Sequence, residues 1–167
     1  MIGKFYKSFR PAILAFLVVT FLMNYVFINA LIPSGSMEPT IMTGDRVIGF
    51  RFLRHFKRGD IVIFKDPDQG GYYLIKRIIG TPGDTVTIRD GIVSVNGTVL
   101  DEPYIKELMF AEAPFSITLP EDGYFVMGDN RNGSYDARFW ENKVLYGKKI
   151  AGIAKFRYWP LKSAGTI

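Results

Sequence analysis

The stretch YYLIKRIIGTPGDTVTIRDGIVSVNGT, residues 72–98, decides the fold class. β-Branched and aromatic residues fill three short runs, Tyr72–Ile79, Thr85–Arg89 and Ile92–Val95, and turn residues separate them. Runs of this kind, bounded by Gly, Pro and Asp, read as strands. Asp90-Gly91 joins two of them through a two-residue link whose chemistry suits a type I′ hairpin, and Asn96-Gly97 offers a second such turn. The pattern extends outward through Arg46–Phe50, Ile61–Phe64, Phe115–Leu119, Tyr124–Met127 and Ile150–Trp159. Helical periodicity is poor after Thr43, and only residues 138–146 (RFWENKVLY) read as a short helix or loop. A mainly β, antiparallel domain is therefore predicted, its corners supplied by Gly and Pro, of which the chain has 17 and 9, all but Gly3 and Pro11 after residue 32.

Upstream the sequence changes character. Residues 11–32 (PAILAFLVVTFLMNYVFINALI) carry no charge, and as a helix they would reach about 33 Å, roughly the hydrocarbon thickness of a bilayer. Lys4, Lys7 and Arg10 precede this run, so the positive-inside bias predicts a cytoplasmic N-terminus. Three regions are expected: a basic cytoplasmic segment 1–10, a transmembrane anchor helix 11–32, and an exported β-rich domain 33–167. The expected location is the plasma membrane, crossed once, with the domain on the outer face and membrane lipid as a partner.

Composition narrows the chemistry. The 167 residues hold 21 Lys+Arg against 16 Asp+Glu, and with three of those cations before the anchor the remainder has only a mild excess, so no nucleic-acid partner is expected. There is no Cys, which excludes thiol peptidases, disulfide scaffolds and thiolate zinc sites. One His, His55, cannot build a multi-histidine metal centre, so neither metal nor cofactor is expected. Hydroxyls, carboxylates, lysines and backbone amides remain.

Three segments have the means. In Pro33-Ser34-Gly35-Ser36-Met37-Glu38-Pro39-Thr40, flanking prolines stiffen the loop and Gly35 permits close approach, so Ser36 reads as a nucleophile or as part of a linker. In the strand 72–79, alternation places Lys76 and Arg77 on opposite faces. Burial would lower the Lys76 pKa and make it a general base, with Arg77 in an ion pair; the alternative is that both snorkel from an edge strand. Gly128 to Arg138 (GDNRNGSYDAR) is dense in hydrogen-bonding groups, but Arg131 stands where a calcium loop needs oxygen. It reads as a positioning or structural loop. Residues 51–58 (RFLRHFKR) are cationic and aromatic, and lie against headgroups or form a solvated loop.

Together these segments resemble the bacterial type I signal peptidase family. The resemblance runs from the anchor through Ser34–Thr40, Arg58-Gly59-Asp60-Ile61-Val62, Lys76–Asp84 and Gly128–Arg138, in family order. It implies a signal-peptidase-like β-fold and a serine endopeptidase that removes signal peptides from exported preproteins. It further implies Ser36 as nucleophile, Lys76 as general base, Ser34 with the Ser36 amide in an oxyanion hole, and Ser134 orienting Lys76. Asp129, Arg77, Asp136 and Arg138 match supporting positions, and Met37 lies in the substrate-binding loop. The chain departs from the family pattern at Gly133, at Ala137 and in Phe139-Trp140-Glu141-Asn142. A Ser-Lys peptidase with one dedicated substrate, or a catalytically silent anchored β-domain, would share the same outline.

Overall fold

A computed structural model describes residues 2–68, 70–111 and 113–167. Helix α1 (Ile2–Phe21) runs into a π turn at Leu22–Val26, and strands follow: β1 (Phe27–Leu31), β2 (Arg46–Phe50), β3 (Ile61–Lys65) and β4 (Tyr73–Gly80). Then come β5 (Thr85–Arg89), β6 (Ile92–Val95), β7 (Thr98–Val99), β8 (Phe115–Thr118), β9 (Gly123–Met127), β10 (Leu145–Tyr146), β11 (Ile150–Trp159) and β12 (Gly165–Thr166). The larger sheet has the order β1-β2-β11-β3-β4-β9-β10, with β12 beside β11, and the smaller has β7-β6-β5-β8. Every ladder is antiparallel. The mainly β expectation holds, and residues 138–146 form a loop that ends in β10.

Both turns expected from sequence form. Asp90 and Gly91 have φ of 53° and 77°, and Asn96 and Gly97 have 53° and 80°, the paired positive values that a type I′ turn needs. Asn96 does more than turn the chain. Its Oδ1 accepts from the Thr85 amide at 2.8 Å and its Nδ2 donates to Asp84 Oδ1 at 2.7 Å, which ties the hairpin to the strand entry.

The expected helix over 11–32 is corrected: the helical segment ends at Val26, and Phe27–Leu31 pairs with β2, Phe27 opposite Phe50 and Leu31 opposite Arg46. An unbroken apolar run does not distinguish a membrane helix from a strand that follows it. The two asparagines mark the division. Asn24 Nδ2 donates to the Thr20 carbonyl one turn back (2.7 Å), as a helical residue does, whereas Asn29 Oδ1 accepts from the Tyr158 hydroxyl of β11 (2.9 Å). Residues Phe9–Val26 remain long and apolar enough to cross a membrane, with mean hydropathy 1.7 and none of the window buried.

Strand β3 explains why two cores coexist. Val62 and Phe64 pack with Ile78, Val86, Ile88 and Phe125 beneath the smaller sheet, while Ile61 and Ile63 face Ile28, Met37, Val47 and Ile75. A strand buried on both faces reads as a continuous apolar run, as IVIF does. Trp140 fills the first core, edge-on to Phe64 with centroids 5.7 Å apart. Its departure from the family pattern thus enters packing. Lys76 projects from β4 opposite Val62, on the side of Leu74 and Ile78.

Candidate active site

The Ser36 loop follows β1 and is closed by a 3₁₀ turn at Gly35–Met37, where the Glu38 amide donates to the Gly35 carbonyl at 3.1 Å. Met37, expected in a substrate-binding loop, is wholly buried; its side chain fastens the loop to the core and does not line a surface. Ser36 is 6% exposed and Lys76 3%. Lys76 Nζ donates to Ser36 Oγ at 2.7 Å, so two groups forty residues apart in sequence meet. Ser34 Oγ stands 3.5 Å from the same oxygen.

No carboxylate forms an ion pair with Lys76 among the described residues. Burial pushes its pKa down from 10.5 to about 8, opposed by the charge of Asp136, aided by Arg138 and opposed again by Asp129. The amine is therefore neutral in a sizeable fraction of molecules near pH 8. The snorkelling alternative fails for both cations of β4. Arg77 holds Asp129 through two bonds, Nε to Oδ1 at 2.8 Å and Nη2 to Oδ2 at 2.6 Å, and reaches the Gly59 carbonyl at 2.9 Å.

The loop 128–138 clasps the Ser36 loop from the other side. Asn130 Nδ2 donates to the Gly35 carbonyl at 3.0 Å, and its amide donates to the Ser36 carbonyl at 3.1 Å. This approach requires glycine at 128, because a Cβ there would collide with the Ser36 carbonyl oxygen and with Ser134 Oγ. Asp136 and Arg138 are fully buried and paired, with Arg138 Nε to Asp136 Oδ1 at 2.8 Å and Nη2 to Oδ2 at 3.0 Å. Asp136 also accepts from the Gly128 amide at 2.9 Å, so the pair sets the loop in place. Ala137, between them, is fully buried, where a polar side chain would need a partner.

One implied contact is absent. Ser134 Oγ is buried and makes no hydrogen bond, so it does not hold Lys76 here; the hydroxyl is packed against Gly128 instead. His55 is exposed. No group of three His, Cys, Asp or Glu side chains among the described residues is placed to hold a metal ion.

Sequence reasoning missed a supporting layer. Thr40 Oγ1 donates to Asp129 Oδ2 at 2.5 Å, and the Arg77 guanidinium lies 4.1 Å from the Tyr104 ring centroid. Arg131 holds Glu102 at 2.5 and 2.8 Å and donates to the Gly128 carbonyl at 3.1 Å. Glu102 and Tyr104 lie in an irregular segment without periodicity, which left no signal to find them.

The model of the family described as signal peptidase, peptidase S26, matches residues 5–159. The chain belongs to the signal peptidase family. It is 42% identical over 145 residues to probable signal peptidase I-2 of Synechocystis, covering 81% of this chain and 65% of that one. It is 35% identical over 170 residues to signal peptidase I of Bacillus licheniformis, covering 95% and 90%. Among solved structures, a signal peptidase I from Enterococcus faecalis superposes with a TM-score of 0.51 at 32% identity, over 59% of this chain and 96% of that one. As a member of this family the chain is a peptide-bond hydrolase of the serine type.

Proposed function

We propose that the protein is a membrane-anchored signal peptidase that cleaves preproteins by acyl transfer, with Ser36 as nucleophile and Lys76 as general base. The observation that carries this reading is the buried 2.7 Å contact between Lys76 Nζ and Ser36 Oγ, free of a carboxylate partner. Neutral Lys76 takes the Ser36 proton as Oγ attacks the scissile carbonyl, and the ammonium then gives a proton to the leaving amine. Water next attacks the acyl-enzyme with Lys76 again accepting a proton, which releases the carboxylate product and restores Ser36. Ser34 Oγ and the Ser36 amide supply donors to the carbonyl oxygen as charge develops on it. Arg77, Asp129, Asp136 and Arg138 act as positioning residues.

The substrate path follows from the sheet. Among the described residues β1 pairs with β2 alone, so its outer edge can take an extended peptide. A groove of about 530 Å³ runs along this edge, lined by Ile28, Ala30, Ile32, Leu74 and Ile75 among others. Pro33 and Ile75 bring its wall to within a few residues of Ser36 and Lys76. The apolar lining of this groove suits the small residues that flank a signal-peptide cleavage site.

In this reading the uncharged part of the apolar helix, residues 11–26, crosses the plasma membrane, Lys4, Lys7 and Arg10 lie in the cytoplasm, and the sheets stand on the outer face. The scissile bond of a signal peptide emerges at the level of the loop that follows β1. The test is incubation of the purified chain with a panel of unrelated preproteins in detergent or lipid, with mass spectrometry of the new N-termini. Cleavage after the signal peptide that disappears with Lys76→Ala is expected; unprocessed preproteins throughout would overturn the proposal.

A further inference from the structure

The anchor delivers the chain to one end of the larger sheet. Phe27 pairs with Phe50 there, Phe64 with Ile150 and Lys65 with Tyr73. Arg51 fixes the junction: its amide donates to the Val26 carbonyl and its Nε to the Phe27 carbonyl, both at 2.9 Å. A cavity of about 300 Å³ opens at this end, lined by Arg51, Arg54, Lys65, Lys148, Lys149 and Tyr73 with two apolar residues.

No Asp or Glu lines the cavity. Arg54 is held by the Ile150 carbonyl at 3.0 Å, so both arginines are pinned through neutral groups. Among the described residues none of the five cations forms an ion pair, whereas Arg77, Arg131, Arg138 and Arg157 each hold a carboxylate. Like charges gathered around a concavity repel one another and raise the local concentration of anions. Exposed aromatic rings sit beside them, Phe52 at 61%, Tyr72 at 52% and Tyr73 at 46% exposure. Amphipathic rings interleaved with Lys and Arg are the composition of a membrane–water boundary.

We propose that this cavity binds the phosphate-bearing headgroup of an anionic lipid in the leaflet where the anchor emerges. Guanidinium forks suit phosphate oxygens, and the flexible lysines supply further charge. Such a lipid would hold the anchor end of the sheet at the bilayer surface and so set the height of the Ser36 loop. The proposal rests on the reading of residues 11–26 as a membrane span.

The test is native mass spectrometry of the full chain released in detergent and mixed with phosphatidylglycerol or phosphatidylcholine. The variant is Lys148→Gln with Lys149→Gln, both exposed and outside the catalytic groups. Preferential retention of phosphatidylglycerol is expected, falling roughly twenty-five-fold in the double variant at about five-fold per cation. Arg89→Gln, exposed on the smaller sheet, should leave retention unchanged, and peptide cleavage in detergent should persist in all variants. Equal retention of both lipids, or equal retention by parent and double variant, would overturn the proposal. Binding of inorganic phosphate without a preference for phosphatidylglycerol would likewise overturn it, and would assign the cavity to a soluble anion. Alkaline carbonate extraction tests the anchor separately. Release would overturn anchor and proposal together, while retention without headgroup preference would overturn the proposal alone.

Discussion

Lys76 and Arg77 are neighbours on β4, yet they project to opposite faces and meet opposite chemistry. Lys76 reaches a hydroxyl and no carboxylate, while Arg77 reaches a carboxylate through two hydrogen bonds. Both lose water. The ammonium answers burial by giving up its proton more readily, but a guanidinium cannot, so each buried arginine must have a partner. The same free-energy cost of desolvation thus yields an amine of lowered pKa on one face and a brace on the other.

The comparison breaks most completely at the dyad. Ser36→Ala and Lys76→Ala should each abolish preprotein cleavage with thermal melts close to the parent, and Lys76→Arg should fail equally because it retains a proton. Near-normal turnover by Lys76→Arg would remove proton abstraction from this residue.

On the paired side the expected loss is of stability. Asp136→Asn removes the carboxylate that Arg138 holds in the core and should cost about 3 to 5 kcal/mol in urea unfolding. A loss under about 1 kcal/mol would mean that the loop re-forms around the guanidinium. Ser34→Ala should lower turnover by about 10²-fold and leave unfolding unchanged, the pattern of a donor that acts on developing charge. An unaltered rate would take Ser34 out of the oxyanion hole.

The pH profile sharpens the contrast more gently. Raising pH deprotonates Lys76, so cleavage should rise roughly tenfold per pH unit and level off above about 8. A profile flat from pH 6 upward would be inconsistent with a lysine base whose pKa is about 8. The smallest effect belongs to Ser134→Ala, which removes a hydroxyl without hydrogen bonds and should shift stability by less than about 1 kcal/mol. A marked fall in turnover would show that this hydroxyl turns toward Lys76 when substrate is bound.

Much of the molecule was legible before any coordinates. Strands β2, β5, β6 and β11 coincide with the runs read from sequence, since β-branched alternation and Asp-Gly or Asn-Gly turns act over a few residues. The structure brings Lys76 to Ser36, Arg77 to Asp129 and Arg138 to Asp136. The end of the N-terminal apolar helix escapes the sequence because hydropathy is blind to whether an apolar residue meets lipid or a neighbouring strand. Asn29, costly in lipid, turned out to have Tyr158 for a partner. Glu102, Tyr104 and Thr40 stayed hidden for a related reason: a hydrogen-bond partner distant in sequence leaves no local pattern.

By itself, the sequence determined which groups are available: no thiol, one histidine, a serine between prolines, and two cations inside an apolar strand. It also determined the strands and their turns, which depend on local conformational preference. Only the tertiary structure decided that Lys76 is dry and unpaired while Arg77 is dry and paired, that Met37 is a core residue, and that Phe27–Leu31 belongs to the sheet. Desolvation and ion pairing are set by whatever packs around a side chain, and those neighbours come from strands dozens of residues away.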